Sequence, residues 1–112
     1  MDDYQDVCYL IHFEKPLDGS GVQHYLGFAP DLRQRIEKHR KSKGARLTAR
    51  ANHLGIGWRV VRVWRGADWK SEKYLKGLGA SNLCPHCSRF MRNLPSAHVS
   101  VEEMQGRPSP IR

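Results

Sequence analysis

Val7-Cys8-Tyr9-Leu10-Ile11-His12-Phe13 is a run of apolar residues with β-branched and aromatic members, and it ends at the cluster Pro16-Leu17-Asp18-Gly19-Ser20-Gly21. Such a run, bounded by turn residues, reads as a strand followed by a loop. A second short apolar run, Gln23 to Phe28, follows at once, so the two predict an antiparallel hairpin closed around that loop. Working outward, Pro30-Asp31-Leu32 sets a proline and an acid where a helix begins, and Lys38, Arg40 and Lys41 suit its C-terminal end. A helix over 30–42 is expected. Lys43-Gly44 breaks it, and Ala45 to Leu54 predicts a second helix stopped by Gly55 as its C-terminal cap. Trp58 to Trp64, rich in valine and tryptophan, predicts a third strand ending at Arg65-Gly66. Asp68 has the chemistry to cap a third helix that runs to about Leu78, before Gly79.

The order strand, strand, helix, helix, strand, helix predicts an α/β fold, a small three-stranded antiparallel sheet flanked by helices. A sheet this small is stable only when helices cover at least one face. Beyond Asn82 the pattern weakens. Residues 1–93 form the expected domain, and 94–112 read as a partly mobile C-terminal tail with a short helical piece near Val99 to Met104.

At 112 residues the chain has room for one modest core. Hydrophobic content of 39% and charged content of 27% are ordinary for a globular domain and argue against wholesale disorder. The charge balance is less ordinary: nineteen Lys and Arg against eleven Asp and Glu give a formal net charge of +8. That surplus favours a polyanionic partner, nucleic acid or an anionic surface. No apolar run is long enough to span a membrane, and Met1-Asp2-Asp3 lacks the layout of a secretion signal, so the expectation is a cytoplasmic protein with no membrane partner. Three cysteines, Cys8, Cys84 and Cys87, are too few for a disulfide scaffold and agree with a reducing compartment.

Five residues stand out as chemistry-bearing: Tyr9 and Tyr25 on the hairpin strands, Arg35 and His39 on the first helix, and Glu72 on the third. The four-residue step puts Arg35 and His39 on one helical face, and the tyrosines can meet across adjacent strands. Glu72 is a carboxylate among Lys70, Lys73 and Lys76, suited to holding a hard cation within a basic surface. Each has a plainer reading. A strand tyrosine usually packs, and Glu72 has Lys76 at the i,i+4 step as an ion-pair partner.

Taken in order, these residues resemble the GIY-YIG nuclease superfamily. Val7-Cys8-Tyr9 stands where its first motif ends in tyrosine, and Tyr25-Leu26-Gly27 stands at the second. Leu32, Arg35 and His39 follow at the steps of its helix motif. Gly44-Ala45-Arg46-Leu47-Thr48 is similar to the Gly-Ala-Lys/Arg-x-Thr word of its small stand-alone branch, and Glu72-Lys73-Tyr74-Leu75-Lys76 to its Glu-x-x-(Leu/Ile)-Lys word. Fifteen residues separate the two tyrosines, several more than usual, so the hairpin carries an extension around Pro16 to Gly21. The resemblance spans residues 7 to about 82. It implies an endonuclease that hydrolyses a phosphodiester in DNA with one divalent ion, Mg²⁺ or Mn²⁺, bound by Glu72, and leaves 5′-phosphate and 3′-hydroxyl ends. RNA stays open as a substrate. Tyr9, aided by Tyr25 or His39, would orient or deprotonate the attacking water. A free phenol titrates near ~10, so a basic Tyr9 needs the nearby positive charge that Arg35 and the metal supply. Arg35 would also stabilise charge on the pentacovalent phosphorus.

Lys38, Arg40, Lys41, Lys43, Arg46, Arg50 and Lys76 would then hold phosphates on either side of the cut, against the plainer reading of a solvated basic face. A nucleic-acid-binding module that kept the fold and lost catalysis is the alternative function. Cys84-Pro85-His86-Cys87 is half of a structural Zn²⁺ site with no second pair evident in the sequence. Cys8 or His98 would complete it only through the tertiary fold, so an apolar or turn role is preferred.

Overall fold

The computed structural model describes residues 4–19 and 21–87 together with the backbone of Gln105–Gly106. The opening apolar run is the central strand. β1 (Gln5–Leu17) pairs antiparallel with β2 (Val22–Asp31) on one side and with β3 (Trp58–Trp64) on the other. A two-residue strand, β4 (Gln105–Gly106), pairs with Trp58 and Arg59 and extends the order to β2-β1-β3-β4.

β1 is buried without interruption from Val7 to Ile11 because helices cover both faces of the sheet. Strand alternation sends successive side chains to opposite sides. Val7, Tyr9, Ile11 and Phe13 enter one core with Leu32 and Ile36 of α1 (Leu32–Arg40) and Ala51 of α2 (Arg46–Leu54). Cys8 and Leu10 enter the other with Leu75 of α3 (Trp69–Leu78) and Leu83 of α4 (Ala80–Leu83). The expected α/β architecture is therefore present with helices on both faces. Each large apolar side chain so buried contributes about 1.5–3 kcal/mol relative to exposure. A register shift on β3 adds one residue, Val61, between Val60 opposite Ile11 and Arg62 opposite Leu10. This bulge leaves Val60 and Val63 in the first core while Val61 joins the second.

Element ends differ from the sequence reading where backbone chemistry decides. β1 continues through Pro16 to Leu17, which pairs with Val22, so the hairpin loop shortens to residues 18–21. Asp18 takes a positive φ of 52° there, and Arg50 of α2 grips both its carboxylate oxygens at 2.8 Å. α1 begins at Leu32 rather than residue 30. Pro30 stays in β2, and the Asp31 carboxylate accepts the Gln34 N–H at 3.2 Å as the N-cap. α2 stops at Gly55, whose φ of 74° is the left-handed cap conformation expected there. Asp68 caps α3 through a reciprocal pair of bonds with Ser71. The helical piece expected near Val99 to Met104 lies outside the described residues, as does most of the tail. Among the described residues no helix is long and apolar enough to cross a membrane.

Candidate functional site

On the α1/α2 side of the sheet, Tyr9 of β1 and His39 of α1 are both fully buried. The Tyr9 hydroxyl lies 2.7 Å from Nε2 of His39, and Nδ1 of His39 lies 2.7 Å from the Thr48 hydroxyl of α2. Thr48 donates its own proton to the Ala45 carbonyl at 3.2 Å, so toward His39 it can only accept. His39 therefore carries its proton on Nδ1 and offers Nε2 as the acceptor for the Tyr9 hydroxyl. Burial, reinforced by the Arg35 charge, lowers the His39 pKa to about 4 and keeps the ring neutral. Burial is also the main reason that Tyr9 titrates well above its ordinary value. The Tyr25 phenol pushes the same way, and the charge and hydrogen bonding of Arg35 oppose it.

Tyr25 and Arg35 complete this group. The Tyr25 ring lies 6.0 Å from that of Tyr9 and 5.6 Å from the His39 imidazole, whose other side meets Trp58 at 5.8 Å. Arg35 is anchored by a bond from Nη1 to the Phe28 carbonyl at 3.1 Å. Two glycines leave room for the arrangement. A Cβ at Gly27, opposite Tyr9 in the β1–β2 register, would sit 2.9 Å from the Tyr9 hydroxyl oxygen and from Cε2 of Tyr25. A Cβ at Gly44 would overlap the His39 ring, meeting Cε1 at 2.7 Å. Asn52 holds the backbone behind His39, donating to the His39 carbonyl at 2.8 Å while it accepts from the Trp58 indole at 2.9 Å.

Glu72 lies on α3, on the opposite side of the sheet, half-buried and paired with Lys76 at 2.8 Å. The plainer i,i+4 pairing is thus realised. The Glu72 hydrogen bond is the largest influence raising the Lys76 pKa, and Tyr25 adds to it more weakly. Tyr25 stands on β2, the edge strand of the sheet. The structure thus brings Tyr9, Tyr25, Arg35 and His39 into one cluster, with Glu72 on the opposite side of the sheet, bound to Lys76.

The basic residues divide. Lys38, Lys41, Lys43 and Arg46 are exposed on α1, on α2 and on the segment between them. Arg40 binds Glu37 at 3.1 Å, Arg50 is committed to Asp18, and Lys76 to Glu72.

A second cluster occupies the α3/α4 side. His12 of β1 and His24 of β2 face each other directly in the register, and Cys84 and Cys87 follow α4. One ligand atom from each converges, all within 4.8 Å of one another, and the four could hold a metal ion. No second pair beside Cys84 and Cys87 is evident in the sequence, and the fold supplies one from the hairpin. Cys8 is not part of the cluster, and His98 lies outside the described residues. Among the described residues no other group of three or more candidate ligands occurs, and Glu72 belongs to none. Buried Arg62 anchors the chain just before this cluster, its Nη1 donating to the Leu83 carbonyl at 3.1 Å.

Comparison with protein-family models, curated proteins and solved structures returns no match.

Proposed function

We propose that the chain is a GIY-YIG-type endonuclease that hydrolyses a phosphodiester bond in DNA, leaving 5′-phosphate and 3′-hydroxyl ends. The observation that carries this reading is the buried Tyr9–His39–Thr48 hydrogen-bond chain with Arg35 beside it. Arg35 sets its charge and a hydrogen bond against the effect of burial on Tyr9, supplying the positive charge that a tyrosine base needs.

In this mechanism Tyr9, held by its hydrogen bond to His39, orients the attacking water, and takes that water's proton as phenolate, a form that the charge of Arg35 and of a bound metal ion would favour. The ordinary objection to a tyrosine base is its high pKa, which burial raises further here. Arg35 works against that rise, since its charge and its hydrogen bond both lower the Tyr9 pKa, and a metal ion bound nearby would lower it further. Burial and Arg35 keep His39 neutral, so its part is to accept the Tyr9 hydroxyl's hydrogen bond and hold the phenol in place, not to store a proton. Water attacks phosphorus, the bond to the 3′ oxygen breaks, and that oxygen takes a proton from solvent. Arg35 stabilises the charge that gathers on the non-bridging oxygens. Glu72 offers a hard oxygen donor that suits Mg²⁺ or Mn²⁺, and a single carboxylate is enough for an ion that otherwise keeps waters and binds phosphate. Bound there, the ion would polarise the phosphate. To bind it, Glu72 must exchange its contact with Lys76, which is then free to meet a phosphate. Lys38, Lys41, Lys43 and Arg46 carry backbone affinity without reading sequence.

Glu72→Ala and Arg35→Ala variants test the assignment. Each is expected to bind DNA and fail to cut it in the presence of magnesium. Wild-type cleavage rates in either would remove that residue from the mechanism.

A further inference from the structure

We infer that His12, His24, Cys84 and Cys87 form a closed tetrahedral zinc(II) site that staples the β1–β2 hairpin to the turn after α4. The inference is independent of the nuclease reading. Its first support is the geometry. Zinc binds imidazole nitrogen at about 2.0–2.1 Å and thiolate sulfur at about 2.3 Å, so a tetrahedron has N–N edges of about 3.3 Å and N–S edges of about 3.5 Å. Here Nδ1 of His12 lies 3.3 Å from Nε2 of His24 and 3.5 and 3.8 Å from the sulfurs of Cys84 and Cys87, and Nε2 of His24 lies 3.4 Å from Cys87 Sγ. Four edges therefore have zinc-site lengths with no ion imposed.

Hydrogen bonding cannot account for the same contacts. A single ring nitrogen of His12 meets three heteroatoms at once, yet an imidazole nitrogen has one in-plane direction for donating or accepting. All three contacts are served if that direction points to a shared centre. The turn itself has the build of a metal knuckle. Pro85 sets the turn between Cys84 and Cys87, closed by the Cys87 N–H on the Cys84 carbonyl at 3.2 Å. The backbone N–H groups of His86 and Cys87 also reach the Cys84 sulfur.

Donor chemistry selects the ion. Two thiolates and two imidazoles in a tetrahedron suit zinc rather than magnesium or calcium, and two thiolates neutralise its charge. With four protein ligands no position stays open for substrate, so the role is structural. His86 lies close by, 5.5 Å from the His12 ring, but its Nε2 meets Arg59 at 3.3 Å. The metal would fix His24 immediately before Tyr25 on β2. It would also tie the end of α4 to the sheet.

The test is the metal content of the full-length protein expressed with zinc and then dialysed. Wild type is expected to hold one zinc per chain. Cobalt(II) in its place is expected to give the strong visible absorption of a tetrahedral ion and a thiolate-to-cobalt charge-transfer band in the near ultraviolet. Cys87→Ser and His24→Asn each lose the metal and melt at lower temperature, whereas His86→Asn keeps it. Zinc far below one per chain in wild type, or the weak spectrum of octahedral cobalt, would overturn the site. Full zinc in both Cys87→Ser and His24→Asn would overturn the ligand set.

Discussion

Tyr9 and His39, thirty residues apart in sequence, share a 2.7 Å hydrogen bond in a fully buried setting, with the phenol as donor and Nε2 as acceptor. The direction of that bond is fixed by Thr48, whose hydroxyl is already spent on Ala45. Tyr9→Phe removes only the donor. The expected result is a cleavage rate lower by about 10²–10⁴-fold, the usual weight of a positioned proton-transfer group. Stability should fall by about 1–3 kcal/mol for the unmatched Nε2. Single-turnover cleavage together with urea denaturation separates the two effects.

His39 makes stability depend on pH. Its folded pKa of about 4 lies below the ordinary 6.5, so between these values the unfolded chain binds the proton that the folded chain refuses. Stability from this group is full above about pH 6.5 and is lost as pH falls toward 4, by on the order of 2–3 kcal/mol. Urea unfolding at several pH values should show a steeper acid loss in wild type than in His39→Gln. Equal slopes would mean that His39 is not held neutral.

Gly44→Ala drives a methyl group into the His39 ring and should displace it. Overpacking of this kind costs about 1–3 kcal/mol. Cleavage is expected to drop in parallel with Tyr9→Phe, with DNA affinity little changed. A Gly44→Ala protein of wild-type rate and stability would show that the chain yields there without moving His39.

DNA affinity should fall as salt rises, and the exposed lysines should carry the slope. Lys41→Ala and Lys43→Ala are each expected to reduce the salt slope by about one, whereas Arg50→Ala reduces it less because Arg50 is held by Asp18. Binding titrations at several salt concentrations check the ranking.

These residues differ in how far the sequence revealed them. The central strand was legible because an apolar run with no polar alternation needs cover on both faces, and the structure gives β1 that cover. Asp68 and Gly55 were legible because caps are local chemistry. Pro30 misled because a proline fits an edge strand's end as well as a helix start, and Asp31 was the true cap. Thr48 lay within a recognised word, yet its bond to His39 depends on how α1 and α2 pack. The partners of Cys84 and Cys87 were hidden because His12 and His24 lie at least 60 positions before them in the sequence. A signal did exist: the hairpin register sets both histidines opposite one another on a single side of the sheet.

Nuclease activity is tested by incubating branched, single-stranded and duplex DNA with the purified wild-type protein, with magnesium and then with EDTA. Magnesium-dependent cutting of at least one substrate is expected, with 5′-phosphate ends on the product and loss of cutting in EDTA. Binding to all three without cleavage of any would contradict it and mark the chain as a nucleic-acid-binding module.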